Sequence, residues 1–185
     1  MTRRQRETLD QYFTPDEAAL TCCAALASIG VLPETITEPS AGKGAWVRAA
    51  SATWPQARVS GFDFDPTMGW PVRDAGMSVA PADLIVGNPP YNEAARHLEV
   101  ALEASSRWVA FLLRLSALEV VEGRNLYNPH LSRIWTLVGR PKFVGTGSDN
   151  VTSAFILWDK AETGSFARIQ PLWWKPDDAP KKRHA

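Results

Sequence analysis

Thr35-Ile36-Thr37-Glu38-Pro39-Ser40-Ala41-Gly42-Lys43-Gly44-Ala45 reads as a short strand, a turn of small residues and the opening of a helix that continues to Ala52. Strand, Gly-rich turn and helix in that order form the first unit of a doubly wound α/β sheet. There the small residues let the backbone approach a ligand at the sheet edge. The turn is not a phosphate loop: Lys43 is followed by Gly44 rather than Ser or Thr, and the glycine required five residues before Gly42 is missing.

The flanking sequence repeats the alternation. Upstream, Thr14-Pro15-Asp16-Glu17 has the form of a helix start, with Thr14 as cap, Pro15 at the first helical position and Glu17 closing a capping box. That helix is expected to reach Ile29 and stop at Gly30. Downstream, residues 58–62 form a second strand ending in Asp63, and Asp83-Leu84-Ile85-Val86 is a fully apolar strand suited to the inside of a parallel sheet. Residues 92–104 have helical spacing, and 108–113 read as another buried strand. Residues 134–138 and 153–158 look like two strands able to pair as a long hairpin, after which the sheet is expected to finish. The fold class expected is therefore α/β, with a doubly wound, mostly parallel sheet and a C-terminal antiparallel hairpin, in one domain over residues 1–174. Residues 175–185, rich in Pro, Lys and Asp, are expected to be a disordered tail.

Composition narrows the function classes. The 185 residues carry 45% hydrophobic content, enough for one core. Twenty basic and twenty acidic residues cancel, so nucleic-acid contact has to come from local patches such as Arg3, Arg4 and Arg6, or Lys181, Lys182 and Arg183. Both clusters read more readily as solvated termini. Adjacent Cys22 and Cys23 cannot form an ordinary disulfide, which points to a reducing, cytoplasmic location. No apolar run approaches the roughly 18 residues that span a bilayer, so no membrane partner is expected. His97, His130 and His184 have no metal-ligand spacing with the cysteines, and no metal is expected.

Asn88-Pro89-Pro90-Tyr91, following directly on the apolar strand, carries the chemistry. A planar amine such as adenine N6 is a poor nucleophile because its lone pair is delocalised into the ring. An Asn side-chain oxygen and the carbonyl of the next Pro can accept the two amine hydrogens and favour a tetrahedral nitrogen. Two prolines fix φ and hold that carbonyl still. Tyr91 can offer a flat face to the base. A rigid turn closing a buried strand is the plainer alternative.

With strand, loop and tetrapeptide together, the chain resembles the amino-methyltransferases that use S-adenosylmethionine, most closely the gamma-class adenine-N6 DNA methyltransferases, small phage-type members included. Four stretches carry the resemblance in that class's order. Gln11-Tyr12-Phe13-Thr14-Pro15 resembles the motif that contacts the methionine end of the cofactor, and Glu38-Pro39-Ser40-Ala41-Gly42-Lys43-Gly44 resembles the cofactor loop. Gly61-Phe62-Asp63-Phe64-Asp65-Pro66 is similar to the motif after strand two, and Asn88-Pro89-Pro90-Tyr91 to the catalytic motif. A weaker likeness runs through Phe111-Leu112-Leu113-Arg114 and Arg140-Pro141-Lys142-Phe143 to Trp158.

The resemblance implies that Tyr12, Phe13, Thr14, Pro15, Glu38, Pro39, Ser40, Ala41, Gly42 and Asn88 border S-adenosylmethionine. Within that set, Glu38 would lie near the methionine ammonium; a cap is its plainer role. Asp63 would accept the ribose hydroxyls, with a solvated strand-end carboxylate as the alternative, and Phe64 would lie on the cofactor adenine. Asn88, Pro89, Pro90 and Tyr91 would be catalytic, and Tyr91 and Phe143 would sandwich an extruded adenine of DNA. Phe143 reads equally well as core.

Two departures stand out. Too few residues separate Asp65 from Asp83 for a full helix and third strand, so residues 71–80 are expected to cross the sheet in abbreviated form, with Asp74, Gly76, Met77 and Ser78 nearby. The usual target-recognition domain is not expected after Trp158. Specificity would then come from the loop at 145–150, from 122–131, or from a separate recognition subunit or second copy. Methylation of RNA adenine or of protein glutamine, and an inactive DNA-binding accessory subunit of the same shape, are the rival readings.

Overall fold

The computed structural model describes residues 13–118, 129–139, 152–164 and 167–174. Among them lie seven strands in one sheet: β1 (Thr35–Glu38), β2 (Arg58–Gly61), β3 (Ala82–Gly87), β4 (Ser105–Arg114), β5 (Leu131–Val138), β6 (Ser153–Asp159) and β7 (Arg168–Trp173). Their spatial order is β2-β1-β3-β4-β6-β5-β7. The pairs β1–β2, β1–β3, β3–β4 and β5–β7 are parallel, whereas β6 runs antiparallel to both β4 and β5. The doubly wound sheet and the antiparallel pair expected from the sequence are both present.

Helices cover the two faces. Helix α1 (Asp16–Ser28) and helix α2 (Ala45–Thr53) pack with Trp46, Trp54, Leu84, Leu112, Trp135 and Phe155 in one apolar cluster. Helix α3 (Ala94–Ala104) packs Leu98 and Ala101 with Ile85, Val109, Phe111, Ile156 and Trp158 on the other. Strands β3, β4 and β6 are sandwiched between these layers, so residues 84–86, 108–113 and 154–158 are apolar on both sides and read as unbroken apolar runs.

Three local expectations are corrected. Pro15 is the N-cap of α1 and no side chain caps that helix. The Thr14 hydroxyl is instead the acceptor for the buried Trp46 indole N–H at 3.1 Å, so no capping box forms. An indole N–H without an acceptor would cost more than an exposed amide, which water can satisfy. Second, the residues following Pro90 first make a 3-10 turn, Tyr91–Glu93, before α3 begins. Third, the sheet does not finish near Trp158: β7 adds an edge strand beside β5. Trp174, just beyond it, is buried and donates to the Gly139 carbonyl at 2.7 Å.

The abbreviated crossing after β2 is observed. Where a third parallel strand would lie, a single bridge joins Asp63 to Val72, and the Arg73 amide donates to the Asp63 carbonyl at 2.9 Å. The chain before it makes one 3-10 turn, Pro66–Met68, with the Asp65 side chain accepting from the Thr67 amide. Gly76 is held to α3 by Arg96, whose Nε donates to its carbonyl.

Candidate active site

From β1 the chain returns to one side of the sheet as β2 and then crosses to the other side as β3, so the crevice between β1 and β3 opens at their C-terminal ends. In doubly wound sheets ligands bind at this reversal of strand order. Glu38 ends β1 there, and Gly87 ends β3 beside it. The Glu38 carboxylate fills the space a Gly87 side chain would need, and a Cβ at residue 87 would collide with both of its oxygens. Glu38 is fully buried. Its Oε1 accepts from the Ser40 amide at 2.8 Å, and its Oε2 has no hydrogen-bond partner. Burial pushes the carboxyl well above its ordinary value of 4.5. The Ser40 hydrogen bond opposes that rise and the Asp63 carboxylate adds to it. A buried carboxylate oxygen lacking a donor is a ready receptor for a cationic N–H group.

The loop after β1 is tightly braced. Gly42 has φ +50° and lies against the Phe13 ring, 3.1 Å from where a Cβ would be. Its amide donates to Asp63 Oδ2 at 2.7 Å, and the second Asp63 oxygen accepts from the Asp65 amide at 2.8 Å. Asp63 thus ties the end of β2 to the small-residue loop. Gly44 has φ +79° and is the N-cap of α2. The Trp70 indole packs against Gly44 and Gly61 and donates to the Gly42 carbonyl at 2.8 Å. Trp70 therefore occupies the loop's outer side, next to the missing third strand. Lys43 Nζ lies 4.5 Å from the Phe13 ring centre.

A small cleft brings together Phe13, Thr14, Ser40, Ala41, Gly42 and Asn88. Pro39 and Pro89 are buried beside them, whereas Pro90 is exposed. Phe64 stands apart, 61% exposed on the rim beyond Asp63. Tyr91 is half-buried, with the Arg114 guanidinium 4.6 Å from its ring centre. Tyr12 and Phe143 lie outside the described residues, as do the loops at 122–128 and 145–150 and the tail from 175. Gly87, Trp70 and Arg114 are the contributors that sequence reasoning did not assign. A glycine immediately before Asn-Pro-Pro and a lone Trp in a polar crossing were the available signals.

Adjacent Cys22 and Cys23 are free and buried, and burial raises both thiols, so neither is a reactive thiolate at neutral pH. Among the described residues no His, Cys, Asp and Glu group could hold a metal ion, and no helix is long and apolar enough to cross a membrane.

Similar architectures are known. A proposed RNA methyltransferase from Pyrococcus horikoshii superposes with a TM-score of 0.66 at 16% identity, over 83% of this chain and 89% of that one. The methyltransferase subunit of a type I restriction-modification system from Streptococcus thermophilus gives 0.67 at 13% identity, over 89% of this chain and 49% of that one. The M protein of the type I restriction enzyme EcoKI gives 0.65 at 15% identity, over 85% and 47%. The fold is that of the Rossmann-like methyltransferases. At these identities the likeness reaches the fold alone, and the chain spans about half the length of the two restriction-modification proteins. The sequence matches no family model and no curated protein.

Proposed function

We propose that this methyltransferase-fold protein transfers a methyl group from S-adenosylmethionine to the exocyclic N6 amine of adenine in DNA, with the target base turned out of the duplex. One observation carries the reading: Asn88, at the end of β3, lines the same cleft as the small-residue loop after β1. A methyl acceptor gripped by Asn88 would therefore meet a cofactor resting on Ser40 to Gly42.

The fit to the cofactor is chemical. The unsatisfied Oε2 of Glu38 suits an ammonium, the loop of small residues suits close approach, and exposed Phe64 suits an adenine face. Asp63, already braced by two amides, keeps lone pairs for ribose hydroxyls. When bound, S-adenosylmethionine supplies a methyl carbon activated by a sulfonium leaving group. The Asn88 amide oxygen and the Pro89 carbonyl accept the two N6 hydrogens and aim the nitrogen lone pair. Tyr91, with Phe143 as a second aromatic, stacks on the base and recovers part of the energy of extrusion, about a few kcal/mol. Proton loss to solvent follows methylation, so no strongly shifted general base is required.

Sequence specificity would be weak or supplied by a separate subunit or second copy. Two of the similar proteins are subunits of restriction-modification enzymes, which supports that arrangement. A second reading, methylation of adenine in RNA, is supported by the similarity to the Pyrococcus protein.

The deciding experiment incubates the protein and cofactor with DNA, RNA and protein in parallel, followed by mass analysis. N6-methyladenine in DNA is expected, and Asn88→Ala should lose about 100-fold or more of the rate with cofactor binding intact. Methyl groups found only in RNA or protein would overturn the choice of substrate. A normal rate in Asn88→Ala would overturn the chemistry, and absence of cofactor binding would favour an inert DNA-binding module.

A further inference from the structure

Arg114 is the last residue of β4 and pairs with Ser153 at the final rung of the β4–β6 ladder. Gly87 lies in register with Phe111, so Arg114 projects three residues, about 10 Å, past the end of β3. The chain leaving β3 turns at Pro89 and Pro90, and Tyr91 is thereby carried back over the end of β4. There the guanidinium carbon of Arg114 lies 4.6 Å from the centre of the Tyr91 ring. Two elements that are distant in sequence thus meet at the one aromatic residue of the Asn-Pro-Pro-Tyr turn.

We infer that Arg114 is a positioning residue for methyl transfer: its guanidinium backs one face of Tyr91 and fixes the ring so that the opposite face receives the target base. This rests on the proposed function. A Tyr ring turns about two side-chain torsions, and a base stacks productively on only one setting of them. The packing of Tyr91 against the apolar cluster of α3 limits the tilt from below. Arg114 limits it from the side, and a planar, delocalised cation covers a ring face better than a lysine ammonium does. The role passes entirely through Tyr91, which separates it from a simple packing contribution.

The test combines Arg114→Met and Arg114→Lys with Tyr91→Leu. Arg114→Met should lower kcat for methyl transfer about 10-fold, the scale of one cation–π contact, with cofactor affinity and Tm unchanged. Arg114→Lys should recover part of the rate. In a Tyr91→Leu background, Arg114→Met should have no further effect. An equal loss in that background, or a rate in Arg114→Met at or above that of the parent, overturns the inference.

A second measurement is independent of activity. The chain has three tyrosines, so ring-labelled tyrosine gives a spectrum simple enough for Tyr91 to be assigned with Tyr91→Phe. In the free protein the Tyr91 ring signals should move in Arg114→Met and move less in Arg114→Lys. Unmoved signals overturn the inference even if the parent methylates DNA. A parent that modifies no nucleic acid sinks the proposed function instead, and the ring signals still decide the role of Arg114.

Discussion

Glu38 faces opposite demands with and without a cation beside it. In the free protein burial raises its carboxyl above 4.5, so the folded state keeps a proton that the unfolded chain releases. Its contribution to stability is therefore fully present below the unfolded value and is lost as pH rises through the folded one. Glu38→Gln removes that loss and should melt higher than the parent at neutral pH. The same change should weaken S-adenosylmethionine binding about 10-fold or more, because a charge-assisted hydrogen bond to the ammonium is replaced by a neutral one. Scanning calorimetry against pH, with cofactor titration, reads both effects, and equal cofactor affinity in the two proteins would remove Glu38 from the ammonium site. Gly87 is the geometric counterpart. Gly87→Ala drives a Cβ into the carboxylate and should cost about 1–3 kcal/mol in urea denaturation, with Glu38→Ala in the same chain recovering part of it. The end of β1 at Glu38 was legible because a turn of small residues follows it directly. Gly87 was not, because its requirement comes from β1, 49 positions away from it at Glu38.

Elements differ in how openly the sequence declares them. The middles of β3 and β4, residues 84–86 and 108–113, are buried on both faces, so unbroken apolar runs disclosed them. Strand β7, Arg168-Ile169-Gln170-Pro171-Leu172-Trp173, lies at the sheet edge with its first four residues exposed and a proline among them, a pattern that argues against an interior strand. Pro171 is tolerated because β7 pairs on one side only, opposite Thr136 of β5. The start of α1 misled for another reason: Thr14 has cap chemistry, yet a buried indole 32 residues away captures its hydroxyl. The loop after β1 shows a similar dependence on distant residues, since Trp70 packs its outer side in place of a full third strand. Trp70→Phe keeps a ring but removes the N–H to the Gly42 carbonyl, and should cost about 0.5–1.5 kcal/mol. The loss of cofactor affinity should exceed that of Trp70→Phe when Trp70→Ala also empties the space beside Gly44 and Gly61. Cofactor titration of the two variants checks that ranking, and equal affinities would show that the loop holds its shape without the indole.

Across the whole molecule the two ends of the sheet carry carboxylates with opposite linkage. At the end away from the cleft, Asp83 joins three strands: Oδ2 accepts from the Glu34 and Thr35 amides and the Thr35 hydroxyl, and Oδ1 accepts from the Ser106 hydroxyl at 2.7 Å. The Ser106 hydrogen bond, followed by those from residues 34 and 35, holds its carboxyl below the ordinary 3.8 against a desolvation that acts the other way. The folded state therefore binds the proton less readily than the unfolded chain, so this contribution is present above the unfolded value and is lost as pH falls through the folded one. Asp83→Asn should lower stability by about 1 kcal/mol at neutral pH, partial exposure limiting the figure, and the difference should vanish in strong acid. Thr35 and Glu38 bracket β1, so the two carboxylates are separated by the strand's length, about 10 Å, and share no hydrogen-bond partner. Their effects should then add in Glu38→Gln with Asp83→Asn, giving a flatter pH profile than either single change. Adding S-adenosylmethionine discriminates further. Binding to the folded state alone raises Tm by mass action, so the parent and Asp83→Asn should gain equally and Glu38→Gln should gain less. An equal gain in all three would mean that the crevice between β1 and β3 is not where the cofactor's charge is read.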